Sequence, residues 1–441
     1  MSRRAWVTRA AAAGSVIAMS LVMAACGSSS SSSSSQSDDS GSFTVLVYGD
    51  ATNKVEQAMV DQFNKTSKVK AKLQTIPGAD YQQKLQTIIS TKQAPDVFFN
   101  WGGGSIAPFV KAGLLQPLDD MEQSNPALKS DFLSSVFNTA VIDGHSYGIP
   151  MRGTQPVLLF SNKKVLKAAG ITSEPATFPD LINDVKTLEQ HGVKSPIALG
   201  GGDQWPTLMW FEYMFDRVAG PDLFQKALNG DTSVWSSQPA QTALGDLKQL
   251  IDLKAFGNNF DSVKFTDNGE SKLLATGKAG FELMGSWDYS TLQSIDKNFV
   301  NTDLGYGTFP TVPGGAGDPK DIVGNTNNFY SVKKGAAHLD AIAKFLTLMY
   351  SDDFVKDQLA IGNLPTTTNT QNFLSTAASP AYDTFQYNLV KAAPSFTLSW
   401  DQAFPQADST AIHTAVADFF DGKIDAKGFA SAMSSLPQAA G

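Results

Sequence analysis

The sequence contains little cysteine, little histidine and a deficit of positive charge. One cysteine in 441 residues excludes an internal disulfide bond and any zinc site made of several cysteines. The four histidines are scattered without the paired spacing of a metal site, and the phosphate-binding pattern G-x-x-x-x-G-K-[ST] does not occur. We therefore expect neither a metal nor a cofactor. The 34 basic and 42 acidic residues give a net charge of −8, which disfavours a nucleic-acid partner.

The composition that remains is that of a globular protein. Apolar residues make up 42% of the chain and charged residues 17%, which is typical of a folded protein rather than a disordered one. The length is sufficient for two large domains or three smaller ones.

Residues 1–25 have the pattern of an export signal. Three arginines are followed by an uncharged, mostly apolar stretch over residues 10–25, which is too short to span a bilayer permanently and is typical of a signal peptide. The sequence Met23-Ala24-Ala25-Cys26 resembles a bacterial lipobox, so we expect a lipid anchor at Cys26. Residues 2–7 also resemble a twin-arginine export signal.

A serine-rich segment follows the predicted anchor. Residues 26–42 include eight consecutive serines, which cannot bury apolar surface, so this segment is predicted to be a flexible tether. We expect it to hold the folded part of the chain away from a membrane.

The chain after this tether alternates between strand and helix patterns. The apolar run Phe43–Tyr48 predicts a strand buried on both faces. Val55, Met59 and Phe63 lie on one face of an amphipathic helix, and residues 68–76 alternate as in a strand. Further predicted elements are helix 80–93, strands 96–100 and 157–160, helices 163–169, 178–191, 206–218 and 242–254, strand 280–284, and helices 337–350 and 410–420. This order predicts an α/β fold with parallel strands covered by helices.

One motif matches the nucleophile elbow of hydrolases. Residues 144–148 read G-x-S-x-G around Ser146, but an elbow needs a helix directly after the serine, and Pro150 opposes one. Asp143-Gly144 is a two-residue turn signal between two short apolar segments. We therefore interpret this motif as the tip of a β-hairpin.

Two further motifs match the S-x-x-K pattern of penicillin-binding enzymes, at Ser161 and at Ser331. The companion motifs S-D-N and K-T-G are absent. Both serines are therefore predicted to lie in solvated turns.

Four tryptophans occupy loops rich in glycine and aspartate. They are Trp101, Trp205, Trp287 and Trp400. In doubly wound sheets, ligands bind at the carboxyl ends of strands, where such loops begin. An indole ring can cover the apolar face of a sugar, and Asp, Asn or Arg side chains can hydrogen-bond its hydroxyl groups. These loops therefore predict a sugar-binding site. The alternative for each residue is that its indole caps an edge of the core, since tryptophan is mostly buried on average.

The order of these features resembles the extracellular sugar-binding lipoproteins of ABC importers, the family that includes the maltose-binding protein. The resemblance spans about residues 43–437. It rests on the lipobox, the serine tether and these segments: Val45–Asp50, Ala94–Phe99, Lys111–Leu118, Gly144–Pro150, Gly285–Trp287 and Ala415–Gly422. It implies two α/β lobes, each a mainly parallel sheet flanked by helices, with the ligand in the cleft between them. Lobe 1 would comprise residues 43–152 plus 326–365, and lobe 2 residues 153–325 plus 366–441.

The same resemblance implies the site and the partners. Three chain crossovers would fall near residues 147–154, 324–329 and 364–370 and act as a hinge. The implied ligand-binding residues are Asp50, Asn100, Trp101, Arg152, Trp205, Trp287, Asp288, Trp400 and Asp401. Gly102-Gly103-Gly104 stand where maltose-binding proteins carry charged residues, which argues against a maltodextrin ligand. The protein would be a monomer on the outer face of the cytoplasmic membrane that delivers a di- or oligosaccharide to an ABC permease.

A second function class is compatible with the sequence. A secreted, lipid-anchored hydrolase, either an esterase or a glycosidase, would use Ser146 or a carboxylate pair such as Asp203 with Glu212. Recovery of the ligand unchanged after long incubation would distinguish a receptor from this enzyme.

Overall fold

The computed structural model describes residues 41–49 and 53–436. The predicted signal peptide, Cys26, nearly all of the predicted tether and Asp50 lie outside the described residues. The predictions made for them therefore stay predictions.

Thirteen strands occur among the described residues. They are β1 (Ser42–Gly49), β2 (Lys70–Pro77), β3 (Val97–Asn100), β4 (Val141–Ile142), β5 (His145–Ser146), β6 (Ile149–Pro150), β7 (Gln155–Asn162), β8 (Ile197–Ala198), β9 (Phe281–Gly285), β10 (Leu304–Gly307), β11 (Ile322–Asn325), β12 (Phe329–Val332) and β13 (Phe396–Leu398).

Twenty α-helices accompany them in the described part of the chain. They are α1 (Asn53–Thr66), α2 (Gly78–Ile88), α3 (Ala107–Lys111), α4 (Asp119–Ser124), α5 (Ala127–Ser130), α6 (Ser134–Phe137), α7 (Lys163–Ala168), α8 (Phe178–Gln190), α9 (Trp205–Ala219), α10 (Pro221–Leu228), α11 (Gln238–Asp252), α12 (Gly269–Ala275), α13 (Asp288–Ile295), α14 (Lys297–Thr302), α15 (Leu339–Leu346), α16 (Asp352–Leu359), α17 (Pro380–Ala392), α18 (Trp400–Ala403), α19 (Gln406–Phe420) and α20 (Ala426–Ser434). None of the described helices is long and apolar enough to cross a membrane.

Local sequence explains why these helices begin where they do. Helix α8 starts at a capping box, in which the Thr177 hydroxyl accepts from the backbone N–H of Asp180 and the Asp180 carboxylate accepts from the N–H of Thr177. Its inward face carries Leu181, Val185 and Leu188, all buried as the periodicity predicts. Two predicted helices are shorter than expected, since α2 ends at Ile88 and residues 347–350 form a 3₁₀ turn after α15.

The first sheet has the strand order β2-β1-β3-β12-β6. Strand β1 pairs in parallel with β2 and with β3, whereas β12 pairs antiparallel with β3 and with β6. Buried residues such as Val45, Phe98 and Phe345 form one core around it. We refer to this sheet and the helices packed on it as lobe 1.

The second sheet has the strand order β13-β11-β7-β9-β8, and β10 pairs with β7 alongside it. Strand β7 is antiparallel to β9, β10 and β11, whereas β8 pairs in parallel with β9 and β11 with β13. A separate and larger core surrounds this sheet, with Trp210, Trp235 and Leu283 fully buried in it. We refer to it and its helices as lobe 2.

The prediction that each sheet is mainly parallel is wrong, because both sheets are mixed. Strand β12 enters lobe 1 directly from lobe 2, and β7 enters lobe 2 directly from lobe 1. A strand that starts at the edge where its neighbours end must run antiparallel to them, and a short connection permits this pairing. The predicted boundaries of the lobes remain predictions, although each sheet draws its strands from the expected parts of the chain.

Three segments of chain connect the lobes, and they lie side by side. The N–H of Met151 donates to the carbonyl of Asn328 at 2.8 Å, and the N–H of Thr154 donates to the carbonyl of Leu364 at 2.9 Å. The Asn327 side chain accepts from the backbone N–H of Gly153 at 3.2 Å. The crossovers therefore form one hydrogen-bonded unit rather than three independent linkers.

The hydrolase motif is a hairpin, as predicted. Strands β4 and β5 pair antiparallel, and the turn residues Asp143 and Gly144 have φ values of 52° and 82°, as a two-residue hairpin turn requires. Ser146 is buried in β5, and strand β6 rather than a helix follows it.

The predicted solvated turns at the S-x-x-K motifs are wrong. Ser161 lies fully buried in β7 and Ser331 fully buried in β12. The hydroxyl of Ser331 donates to the carbonyl of Tyr147, and that of Ser161 donates to the Glu174 carboxylate. Burial is possible because each hydroxyl donates to a carbonyl or carboxylate group of the protein rather than to water.

Candidate ligand-binding site

The strand register identifies the edge of lobe 1 that adjoins lobe 2. Asn100 at the end of β3 pairs with Phe329 at the start of β12, and Phe329 also pairs with Pro150 at the end of β6. The chain leaves for lobe 2 after Pro150 and returns just before Phe329. The loop after β3 therefore begins at the edge next to the crossovers.

The equivalent edge of lobe 2 is identified in the same way. Strand β7 starts at Gln155 and pairs with Asn325 at the end of β11. Gly285 at the end of β9 pairs with Val157, and Leu398 at the end of β13 pairs with Gly324. The loops after β9 and β13 consequently begin at the interlobe edge, which is where sequence analysis placed the tryptophan-containing loops.

Two of the four predicted tryptophans meet on lobe 2. Trp205 is the first residue of α9, and Trp287 follows the end of β9. Their ring centroids are 6.2 Å apart with an interplanar angle of 49°, and Phe265 packs edge-on against Trp205 at 5.1 Å. Both indoles are half-buried. Lobe 2 therefore presents a partly exposed aromatic pair at its interlobe edge.

Trp101 forms a second aromatic group, on lobe 1. It lies one residue beyond β3, is half-buried, and packs edge-on against Phe99 with a centroid distance of 4.8 Å. Tyr48 and Tyr81 lie against the same indole at 5.8 and 6.0 Å. Trp101 is therefore held by its neighbours while part of its surface remains open.

Arg152 lies two residues beyond β6, at the interlobe edge, and is only 4% exposed. Its Nε donates to the carboxylate of the buried Glu56 at 2.7 Å, and its Nη2 donates to the carbonyl of Tyr48 at 2.8 Å. The guanidinium also lies over the ring of Phe99 at 4.8 Å. These contacts hold the end of β1 against α1, which makes Arg152 a structural support for the end of β1.

Asn100 is also engaged by the protein. Its Nδ2 donates to the Ser331 hydroxyl at 2.8 Å, its Oδ1 accepts from the N–H of Gly102 at 2.9 Å, and the residue is 1% exposed. It links β3 to β12 and shapes the start of the glycine loop. This geometry favours a structural role over direct ligand contact.

The assignment of Trp400 as a ligand platform is contradicted by its burial. Trp400 is 1% exposed and stacks on Phe224 with a centroid distance of 4.7 Å and an interplanar angle of 4°. Phe211, Phe215 and Trp235 surround the same indole. A ring enclosed by four aromatic neighbours belongs to the core of lobe 2.

Asp401 remains at the edge of lobe 2. It is about one-fifth exposed, with 21% of its side chain accessible, and its carboxylate lies 3.2 Å from Nε2 of His413. Its charge also contributes to the raised pKa of the neighbouring Glu212.

Asp288 belongs to a buried group of carboxyls that sequence analysis did not identify. Asp288, Glu270 and Glu282 are each at most 1% exposed, and the Ser271 hydroxyl donates to Asp288 at 2.8 Å. Burial raises the pKa of Asp288 to about 7. Burial, followed by the charge of Asp288, also raises the pKa values of Glu270 and Glu282 well above the ordinary range. Buried carboxyl groups cannot be recognised from the sequence, because Asp and Glu side chains are normally exposed.

Glu212 is a second buried acid near this edge. It is 1% exposed, and one carboxyl oxygen accepts from the Ser399 hydroxyl at 2.8 Å and from the backbone N–H of Trp400 at 2.6 Å. Burial, and then the nearby charge of Asp401, raise the pKa of Glu212 to about 8. Within the part of the chain that the structure describes, no cluster of three acidic, histidine or cysteine residues is arranged to hold a metal ion.

Comparison with known proteins identifies the class to which this fold and site belong. Residues 49–356 match the bacterial extracellular solute-binding protein family. The chain belongs to this family, whose members are receptors for solutes.

Three relatives illustrate the similarity. The chain is 27% identical over 273 residues to an uncharacterized ABC transporter extracellular-binding protein of Pyrococcus horikoshii, covering 62% of this chain and 58% of that protein. It is 27% identical over 307 residues to the diacetylchitobiose-binding protein of Streptomyces coelicolor, covering 69% of this chain and 68% of that protein. A solved structure from work on xylan utilization by Caldanaerobius polysaccharolyticus has a TM-score of 0.78 and 26% identity, covering 89% of this chain and 98% of that one. The predicted two-lobe α/β fold is thereby confirmed.

Proposed function

We propose that this protein is the substrate-binding component of an ABC importer for a di- or oligosaccharide. The sugar binds between the two lobes, the lobes close on it at the crossovers, and the closed form is delivered to a membrane permease. The observation that carries this proposal is the half-buried Trp205–Trp287 pair at the interlobe edge of lobe 2.

The aromatic groups fit a sugar better than other small solutes. A pyranose ring has an apolar C–H face that an indole can cover, and its hydroxyl groups accept and donate hydrogen bonds at the rim. Trp101 on lobe 1 and the Trp205–Trp287 pair on lobe 2 provide several such surfaces, which suits a ligand of more than one ring. Asp50 and Asp401 remain our candidates for the hydroxyl contacts.

The relatives support the same ligand class. One is named for binding diacetylchitobiose, and the solved structure comes from work on xylan utilization. Because the chain covers only 58% of the length of the Pyrococcus protein, the transport partner is inferred from the family rather than from that alignment. We propose that the chain acts as a monomer and reaches its permease from a lipid anchor at Cys26.

The role we assign is binding without catalysis. Ser146 lies in a hairpin strand with no helix after it, so it lacks the oxyanion donors of a nucleophile elbow. Asp203 is held by Thr266, whose backbone N–H donates to it at 2.8 Å, whereas Glu212 is enclosed in the core. The carboxylate pair considered for a hydrolase therefore has its two members in different environments.

Native mass spectrometry provides the test. The chain is incubated overnight with a panel of maltose, cellobiose, xylobiose and diacetylchitobiose, and the complexes are weighed. The proposal predicts a one-to-one complex heavier by the mass of one intact sugar. Hydrolysed products would support the enzyme, and the absence of any complex with these or longer oligosaccharides would refute the sugar receptor.

A further inference from the structure

In addition to the crossovers, the two lobes touch each other at a run of three glycines. Gly102–Gly104 follow Trp101 in the loop after β3, and Gly104 is buried. A Cβ atom built on Gly104 would lie 2.5 Å from both the carbonyl carbon and the carbonyl oxygen of Phe404 and would also meet the carbonyl oxygen of Ala403. A Cβ atom on Gly103 would lie 2.8 Å from a methyl group of Leu398. The backbone of lobe 1 therefore lies directly on the backbone of lobe 2.

This contact cannot accommodate a side chain at Gly104 without movement. Cβ atoms in proteins do not come this close to other heavy atoms, and the obstacles here are backbone groups, which cannot rotate aside as a flexible side chain can. Close-packed interfaces transmit such an overlap as displacement of whole elements. At Gly104, the overlap would be relieved by the two lobes moving apart.

The lobe 2 side of the contact is held firmly. Glu212 in α9 accepts hydrogen bonds from the Ser399 hydroxyl and the Trp400 N–H, which precede Ala403 and Phe404. The Trp400 ring is enclosed in the core of lobe 2. The segment that meets Gly104 is therefore attached to lobe 2, since the N–H groups of Ala403 and Phe404 donate to the carbonyls of Ser399 and Trp400.

We propose that Gly104 is a positioning residue for lobe closure, and that its missing side chain sets how closely lobe 1 can approach residues 403–404 of lobe 2. The inference rests on the proposed function, since closure on a ligand is what the contact would limit. It explains a glycine at this position by a steric requirement rather than by loop flexibility. Gly104 acts through the relative position of the lobes and is not assigned any contact with the sugar.

The test compares Gly104→Val and Gly104→Ala with Gly245→Ala. Gly245 lies in α11 of lobe 2, and a Cβ atom there would meet nothing within 4 Å, so this control adds a methyl group without an obstacle. Spin labels are placed at Lys111→Cys on lobe 1 and Lys226→Cys on lobe 2, both exposed, in the full chain with Cys26→Ser. Distance distributions are recorded by electron paramagnetic resonance without sugar and with the panel sugars at saturation.

We expect the wild type and Gly245→Ala to share a short interlobe distance, and Gly104→Val to shift that population to longer distances. Gly104→Ala, with one methyl group, should shift it less and serves as the readout if Gly104→Val does not fold. The proposal would be overturned if both Gly104 variants kept the short-distance population unchanged. It would also be overturned if the wild type lacked a short-distance population both without sugar and with sugar.

Binding kinetics separate positioning from loss of structure. For a panel sugar that binds the wild type, overpacking of this kind predicts a dissociation constant about 5- to 150-fold weaker in Gly104→Val. The change should lie in faster dissociation, because association starts from the open form, which lacks the contact. An unchanged dissociation rate would contradict the role of Gly104. If no sugar binds the wild type, the proposed function fails, and the distance measurement still decides whether Gly104 limits the approach of the lobes.

Discussion

The indole rings of Trp205 and Trp287 lie against each other with their centroids 6.2 Å apart and their planes inclined by 49°. The two residues are separated by 82 positions in the chain, and they meet because α9 begins and β9 ends at the same edge of lobe 2. Two rings at this angle cannot both lie parallel to one sugar ring. We therefore expect them to contact different rings, or different faces, of one ligand.

The first prediction concerns this pair. Trp205→Ala and Trp287→Ala should each weaken binding of the preferred sugar by about 1–3 kcal/mol, the scale of one large buried aromatic contact, or roughly 5- to 150-fold in dissociation constant. Because the rings touch, the double variant should lose less than the sum of the single losses. Calorimetric titration of all three variants measures this. Normal binding by the folded single variants would place the sugar elsewhere.

The second prediction concerns the buried ion pair of Arg152 and Glu56. Their side chains are 4% and 2% exposed, and the two charged atoms are 2.7 Å apart. Arg152→Met should cost about 3–5 kcal/mol of folding free energy, because it removes the positive partner of a carboxylate in the interior, and adding Glu56→Leu should recover most of the loss. Urea unfolding gives both values.

An exposed ion pair serves as the control for that experiment. Lys248 and Asp252 are 2.6 Å apart but about 60% exposed. Lys248→Met should change stability by less than about 1 kcal/mol. A similar cost at both sites would show that the Arg152–Glu56 pair has no special structural role.

The third prediction concerns pH. Burial raises the pKa of Glu212 from 4.5 to about 8, so above its unfolded pKa the folded chain retains a proton that the unfolded chain releases. Stability should therefore fall as the pH rises from about 5 to about 8, by a few kcal/mol from this group. The glutamine of Glu212→Gln resembles the protonated acid. The melting temperature of this variant should therefore decrease less with rising pH than that of the wild type.

An exposed glutamate provides the matched control. Glu189→Gln, on the outer face of α8, should leave the pH profile as it is in the wild type. If the melting temperature of Glu212→Gln decreases with pH as steeply as that of Glu189→Gln, the pH dependence comes from other buried acids, such as Asp288.

The fourth prediction concerns the anchor. Cys26→Ser should release the protein from membranes or leave it unprocessed, since the acyl chains would be the main membrane attachment. Fractionation of cells that produce either form measures this. A variant that fractionates like the wild type would contradict the lipoprotein proposal.

Two of the tryptophans show that local sequence predicts their position but not their burial. Ser286-Trp287-Asp288 and Ser399-Trp400-Asp401 are the same tripeptide, and each follows a strand that ends at the interlobe edge. One indole is half-buried, and the other is enclosed in the core. The difference comes from aromatic residues far away in the chain, such as Phe211 and Phe224, which local sequence cannot position.

The fold was more predictable than the site, because periodicity reports burial directly. The alternation of strands and helices, the hairpin at Asp143-Gly144 and the loops at the carboxyl ends of strands all follow from local pattern. Strand direction in β7 and β12 does not, since it depends on where the chain crosses between lobes. The supporting roles of Arg152 and Asn100 likewise depend on partners that only the folded chain brings together.

Small-angle X-ray scattering of the full chain with and without a saturating, bound sugar tests the central claim most directly. A ligand that touches both lobes binds the closed form better than the open one, and that difference alone shifts the population. The account predicts that the radius of gyration falls when the sugar is added. An unchanged radius with a tightly bound sugar would contradict capture between the two lobes.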